Sequence, residues 1–234
     1  MSVLERFSNG QADMQELQEF LKSLSNIEIG GSRLYDGSGN HFMQNAFEFG
    51  FMLSVLSECK NSKSRKFTKF LELGWSTGIA HTILYKVLKP EESVALDLVV
   101  PSGMSTKTFF ANLRFKNLTF LASDSTSRFA REKLQLLGPF DFIFIDGGHE
   151  YETVLSDFKL ALDVASPNAI IALHDIYAEN PSEVSILWNE IITSNSYETL
   201  EILDDQSMIT YGIGLVNLAS DGLFTRDKVV SSQY

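Results

Sequence analysis

Six residues, Phe140 to Ile145, read F-D-F-I-F-I and constrain the fold more than any other stretch of this chain. A short run of aromatic and β-branched residues with a single polar interruption is expected of a central strand buried on both faces, and such a strand requires helices above and below a mostly parallel sheet. The remaining segments agree, because strand-like and helix-like patterns alternate. Strands are predicted over Phe67–Leu73, Ser93–Leu98, Leu118–Ala122, Phe140–Ile145 and Ala169–Leu173, and helices over Asp13–Leu24, Phe42–Glu58, Thr77–Leu88, Thr106–Asn112, Ser127–Leu137, Glu152–Ala165 and Glu183–Ser194. Tyr197–Leu203 and Gly212–Asn217 read as two more strands that a short turn pairs into a hairpin. The expectation is an α/β, doubly wound, mostly parallel seven-stranded sheet with a C-terminal antiparallel hairpin.

A chain of 234 residues suits a single domain with one three-layer core. Within it, residues 1–60 read as an N-terminal helical segment, 61–218 as the core and 219–234 as a peripheral tail. The loop Ser32 to His41, rich in Gly, Ser, Asp and Asn, is either a plain connector or a lid over the ligand cleft. Hydrophobic residues make up 44% of the chain and aromatics 12%, a composition fit for burial rather than disorder.

The formal net charge of -11 opposes binding to phosphate backbones, so nucleic acid is not an expected partner. The one basic run, Lys60 to Lys69, reads as a solvated loop ahead of the first strand. Cys59 is the single cysteine and lies in an apolar helical pattern, which reads as a buried thiol in a reducing compartment. No stretch approaches the roughly 20 apolar residues that cross a bilayer. A cytoplasmic protein without a membrane partner is expected, with self-association left open.

Phe67 to Gly78 is an apolar strand that runs into a glycine turn bearing an acid, Glu72-Leu73-Gly74-Trp75-Ser76-Thr77-Gly78. Glycines at 74 and 78 let the backbone approach a ligand closely. Glu72, read as pointing into the cleft, would repel a pyrophosphate and attract a cationic nucleotide derivative such as S-adenosylmethionine.

That segment resembles the first motif of the class I S-adenosylmethionine-dependent methyltransferases, with Ser76 where many members carry a middle glycine. Phe140 to Tyr151, F-D-F-I-F-I-D-G-G-H-E-Y, resembles the fourth-strand signature of the group that includes macrolide and sugar O-methyltransferases and the cephalosporin-hydroxylase-like proteins. The resemblance runs from about Gln44 to about Leu218. It implies a Rossmann-like methyltransferase fold, S-adenosyl-L-methionine as cofactor, and a small hydroxylated acceptor such as a sugar or natural product. The acceptor pocket is then expected from the N-terminal segment with Ser32 to His41, from Glu150–Tyr151 and from Tyr177 to Glu183.

In doubly wound sheets, ligands bind beyond the carboxyl ends of the strands. Acids gather there: Glu72 at the first strand, Asp97 at the second, Asp124 after the third, Asp146 after the fourth and Asp175 after the fifth. Asp97 offers two acceptor oxygens to a pair of ribose hydroxyls, the alternative being a loop or capping acid. Asp124 and Ser125 stand where the family places a polar pair near the adenine amino group, although Ser-Asp-Ser-Thr-Ser is also a plain helix start. Glu72, Gly74, Trp75, Ser76, Gly78, Asp97, Asp124, Ser125 and Asp146 form the expected cofactor set.

The methyl donor is already an activated electrophile, so the enzyme chiefly has to orient an acceptor and take its proton. His149, three residues after Asp146, is the expected general base, tuned by Asp146 or Glu150. The other reading is a histidine that caps the helix beginning near Tyr151. The resemblance further implies a divalent-metal set of Asp146, His174 and Asp175. Imidazole is a poor Mg²⁺ ligand, so either the two acids bind alone or Mn²⁺ or Fe²⁺ is preferred. His41 and His81 read as structural. The alternatives are a metal-dependent hydroxylase-like enzyme and a cofactor-binding protein without turnover. A nicotinamide-dependent dehydrogenase is disfavoured, since G-x-G-x-x-G is absent and the charge of Glu72 is wrong for it.

Overall fold

The computed structural model describes residues 2–24, 42–62, 64–76, 78–98, 115, 117–177, 183–207 and 210–224, together with the backbone of 228–231. The expected loop Ser32 to His41, the helix predicted over Thr106–Asn112 and residues 178–182 of the expected acceptor region lie outside these. Helices α1 (Val3–Ser8), α2 (Met14–Leu24) and α3 (Ala46–Asn61) precede strand β1 (Lys69–Leu73). There follow α4 (Ile79–Leu88), β2 (Glu92–Asp97), β3 (Leu118–Ala122), α5 (Arg128–Leu137), β4 (Phe140–Ile145), α6 (Tyr151–Val164), β5 (Ala165–His174), α7 (Val184–Ser194), β6 (Glu198–Leu203), β7 (Ile213–Asn217) and β8 (Lys228–Ser231).

The strands form one sheet in the order β3-β2-β1-β4-β5-β7-β6-β8. β1 to β5 run parallel, and β7 lies antiparallel between β5 and β6. This is the expected doubly wound sheet with its antiparallel end. To the seven expected strands the tail adds an eighth, because β8 pairs in parallel with β6 at the sheet edge.

Strand alternation sends successive side chains to opposite layers. Phe70, Phe142, Phe144, Ile170 and Ala172 face the layer of α1 to α4, whereas Leu71, Leu73, Ile143, Ile145, Ile171 and Leu173 face α5 to α7. The order reverses at β1, whose neighbours are β2 on one side and β4 on the other. Their carboxyl ends diverge there and open a crevice. The N-terminal layer is fastened to the sheet's far end by Glu48, a buried acid of α3. Its two carboxylate oxygens accept from Asp204 N and Gly212 N at 3.0 Å each, which pins both ends of the β6–β7 connection.

Candidate active site

After β1 the chain turns through Gly74 at φ +94°, and a Cβ at that position would stand 2.0 Å from the Asp146 carbonyl oxygen. Only glycine fits so close an approach. Asp146 N donates to Leu73 O at 2.8 Å and Gly74 N to Leu96 O at 2.9 Å, so the turn is stitched to both neighbouring strands. Ser76, in the motif's middle position, adopts φ +46°. The left-handed region explains why glycine suits that place. Asp97 compensates, because its Oδ2 accepts from Trp75 N and Ser76 N at 2.8 Å each. Gly78, at φ +75°, leaves room for the Trp75 indole, which a Cβ would meet at 2.3 Å.

Glu72 departs from expectation. Alternation along β1 sends its side chain toward the same layer as Phe70, and there Oε2 meets Nδ1 of His81 on α4 at 3.0 Å. Only 1% of Glu72 is exposed and His81 is fully buried. The carboxylate therefore faces away from the cleft, and the reading of Glu72 as a cleft-facing attraction for a cationic ligand is corrected. Burial, reinforced by the nearby Asp146 and Asp97, pushes the Glu72 carboxyl well above its usual range. Burial lowers His81 to about 3. Trp75 is likewise an inward residue: its ring packs on His81 and edge-on to Phe120, and only its backbone belongs to the turn.

The cleft beyond these strand ends measures about 540 Å³. Gly74 and Ser76, Asp97 and Leu98, Ser123 to Thr126, and Asp146 to Glu150 line it, with Thr153 and Asp157 of α6 at its floor. The volume suits a nucleoside-sized ligand. Asp124 closes a local turn, its Oδ1 accepting from Thr126 N at 2.8 Å and Thr126 Oγ1 at 2.7 Å, and the latter hydroxyl is the main cause of its lowered pKa. The N-cap of α5 is Ser127, which accepts from Ala130 N, and not Asp124. The hydroxyl of Ser125 turns inward to Asp157.

At the other end of the cleft two acids and two histidines meet. His174 Nδ1 lies 3.2 Å from Asp146 Oδ1 and 2.9 Å from Asp175 Oδ2. Burial alone would lower the pKa of His174, but the two carboxylates outweigh it and raise that pKa well above the ordinary value. His174 is thus a buried imidazole held between two acids that favour its protonated form. Gln44, reaching in from just ahead of α3, donates to Asp146 Oδ2 at 2.7 Å. Asp175 sits at φ +63°, a left-handed bend directly after β5 that aims its carboxylate back at the β4 end. His149 Nε2 is 3.0 Å from Asp175 Oδ2, while the His149 side chain remains 57% exposed. The hydrogen bond to Asp175 raises the pKa of His149 despite partial desolvation. Asp175 is the main tuning acid and the expected Asp146 adds to it, whereas Glu150 is not among the causes of the shift.

His149 is not the cap of α6. Glu183 accepts from Tyr151 N at 2.7 Å, and its own backbone N donates to His149 O at 3.0 Å, so α6 begins on a clasp from across the cleft. Among the described residues, the group able to hold a metal ion is Asp146, His149 and Asp175, whose donor atoms lie within 4.8 Å of one another. Two carboxylates and an imidazole fit a divalent cation such as Mg²⁺, Mn²⁺ or Fe²⁺. The expected ligand His174 is replaced by His149 in that group, because His174 Nδ1 is committed to fixing both acids. Gln44 and Asp157 were missed from the sequence. Gln44 lies 102 positions from its partner and carries no local signal. Asp157 did carry one, an acid on the Val154–Phe158–Ala161 stripe of a core-facing helix.

Residues 71–176 match the family model described as a methyltransferase domain. No functionally curated protein matches the chain significantly. Among solved structures, the O-methyltransferase from Bacillus cereus in complex with S-adenosylhomocysteine is similar, with TM-score 0.57, 14% identity and coverage of 88% of this chain and 100% of that one. The MycE methyltransferase of the mycinamycin biosynthetic pathway, in complex with Mg and S-adenosylhomocysteine, gives 0.53, 14%, 86% and 55%. An rRNA methylase from Streptococcus thermophilus gives 0.54, 12%, 75% and 97%. At such identities the structures speak for the fold alone. The match over residues 71–176 takes in Gly74, Asp97 and Asp146, which line the cleft, so this stretch of the chain resembles a methyltransferase domain and lies on the Rossmann-like fold of the methyltransferase structures.

Proposed function

We propose that this protein transfers a methyl group to a hydroxyl of a small molecule, with His149 as the proton acceptor. The observation that carries this reading is the His149–Asp175 contact, 3.0 Å long, at the open mouth of the cleft and beside Asp146. S-adenosylmethionine, when bound, supplies an electrophilic methyl group, and a divalent cation at Asp146 and Asp175 would supply Lewis acidity toward the acceptor oxygen.

The residues of this chain do the rest. Asp97 orders the glycine turn and presents its carboxylate to a ribose, with Gly74 and Ser76 forming the wall beside it. His174 and Gln44 hold Asp146 and Asp175 in place, so neither acid has to reorganise when an acceptor arrives. His149, whose Nε2–H donates to Asp175 Oδ2, takes the acceptor proton on its other ring nitrogen, Nδ1, and Asp175 stabilises the imidazolium that results. An exposed imidazole in an open cleft and a net charge of -11 favour a small neutral or cationic acceptor over a nucleic acid. Sugars and natural products with free hydroxyls are the acceptors to try first. Metal assistance is supported by the donor set and by the Mg in the MycE complex. Residues 42–62, which bring Gln44 to the cluster, support a contribution of the N-terminal segment to the acceptor side.

Calorimetry with S-adenosylhomocysteine, followed by transfer of a labelled methyl group from S-adenosylmethionine to a panel of hydroxylated small molecules, tests the reading. A saturable site and label in an ether-linked methyl are expected. Thermal stabilisation by NAD and none by S-adenosylhomocysteine would remove its basis.

A further inference from the structure

Asp157 is a carboxylate that the mechanism above leaves unused. It lies on the inner face of α6, is 1% exposed, and borders the cleft where Ser123 to Thr126 form the opposite wall. The Ser125 hydroxyl bonds one side of it, while its Oδ1 is buried without a hydrogen-bond partner. An acceptor in that state lowers stability unless a donor arrives to satisfy it. The wall above it is thin, because Gly147 has no side chain and a Cβ there would stand 3.4 Å from Asp157 Oδ2.

The position of Asp157 within the cleft names the donor. The strand order β3-β2-β1-β4 sets Asp146 and His149, the proposed reacting end, apart from Asp97, the proposed ribose side, with Ser125 and the Asp157 that it bonds beyond. Leu98, 72% exposed on the rim beside Asp97, offers that end an apolar face on which a purine ring can lie. Asp124, the acid that the sequence favours here, spends Oδ1 on both donors of Thr126 and is exposed to water.

We propose that Asp157, and not Asp124, is the residue that recognises the purine of the cofactor, its buried carboxylate accepting a hydrogen bond from the 6-amino group of adenine. This rests on the S-adenosylmethionine reading of the cleft. A carboxylate accepts and cannot donate at neutral pH, so a purine bearing a 6-oxo group in place of the amine meets repulsion rather than a bond. The site should then discriminate between two ligands that differ at one ring position.

The test is calorimetric binding of S-adenosylhomocysteine, of its 6-deamino purine analogue and of S-inosylhomocysteine to the full chain. The wild type should bind S-adenosylhomocysteine at least about tenfold more tightly than either analogue, the range of a hydrogen bond to a charged group. In Asp157→Asn, whose amide matches the carboxylate in size and can donate to a 6-oxo group, the preference over S-inosylhomocysteine should fall at least about tenfold. Asp124→Asn should keep the wild-type preference. The analogue series on the wild type requires no variant, so it decides the matter even if Asp157→Asn folds poorly. Equal affinity of the wild type for all three ligands, or loss of preference in Asp124→Asn rather than Asp157→Asn, would overturn the proposal while leaving the cofactor reading intact. Failure of the wild type to bind S-adenosylhomocysteine at all would overturn both.

Discussion

Glu72 and His81 form a buried pair beneath the glycine turn, Oε2 to Nδ1 at 3.0 Å, with the imidazole stacked on Phe70 at 4.6 Å between ring centroids. The raised pKa of the acid and the lowered one of the base both reflect burial, which disfavours charge on either partner. Its work is to tie β1 to α4 directly under the glycine turn. Glu72→Gln should therefore fold, with S-adenosylhomocysteine affinity changed less than about threefold, because an amide keeps the shape and a hydrogen bond to imidazole. His81→Ala, which empties a site packed by Phe70 and Trp75, should cost about 2–4 kcal/mol in urea unfolding. A tenfold or greater loss of affinity in a stably folded Glu72→Gln protein would return the carboxylate to the ligand.

The fold was legible because its signals are local. The apolar run at Phe140, the helix-strand alternation and the glycine spacing each depend on neighbours in sequence. The strand-end rule likewise located Asp97, Asp146, His149 and Asp175. The strand-end rule puts Glu72 in the cleft, but the strand's own alternation places residue 72 on the face of Phe70. The family resemblance implies His174 as a metal ligand together with its neighbour Asp175. The left-handed bend at Asp175, which turns that acid toward His149 and leaves His174 behind both acids, is a backbone fact without a sequence signature. Gln44 and Asp146 meet across 102 positions, a juxtaposition created only by packing the N-terminal layer on the sheet.

The buried carboxyl of Asp157 sets a pH dependence of stability. Burial raises its pKa from 3.8 to about 6, with the Ser125 hydroxyl opposing the shift and Asp124 adding to it. The unfolded chain ionises this group near 3.8 and the folded one near 6, so folding takes up a proton between those values. Stability contributed by the group falls as pH rises from about 4 to 6, and the loss, on the order of 3 kcal/mol, persists above that. Asp157→Asn lacks the penalty. Measured without ligand, its stability relative to wild type should grow across that window and level off above it, since every other titrating group is common to both proteins. A difference that does not change with pH would show that the carboxyl ionises in the folded protein as freely as in water.

The His174 imidazole and a bound divalent metal compete for the same two carboxylates. Removing the imidazole leaves Asp146 and Asp175 facing each other without their shared donor, a like-charge contact that a metal ion can relieve. His174→Ala should therefore melt well below wild type in chelator and regain more of its Tm on adding Mg²⁺ or Mn²⁺ than wild type does. Chelation of the wild type should suppress methyl transfer, and either ion should restore it. Identical metal-induced Tm shifts in the two proteins, with turnover undiminished in excess chelator, would confine both acids to orienting His149 and the acceptor.

His149 is the residue on which turnover should depend most. Its replacement by alanine should lower kcat by roughly 10²–10⁴-fold, the usual contribution of a positioned proton acceptor, while S-adenosylhomocysteine affinity changes little. Stability should hardly move, because the side chain is 57% exposed and α6 is capped by Glu183 instead. The hydrogen bond to Asp175 raises the imidazole's pKa, so the acid limb of the wild-type rate should lie above pH 6.5 rather than at it. Asp175→Asn takes away the negative charge that favours the protonated ring, and the limb should then move to lower pH as kcat falls. Metal content separates base from ligand: a His149→Ala protein that keeps its cation but not its rate has lost a base, and one that loses both has lost a metal ligand. Wild-type turnover in a folded, cofactor-bound His149→Ala protein would leave the acceptor proton to water or to Asp146, and the assignment of His149 would be wrong.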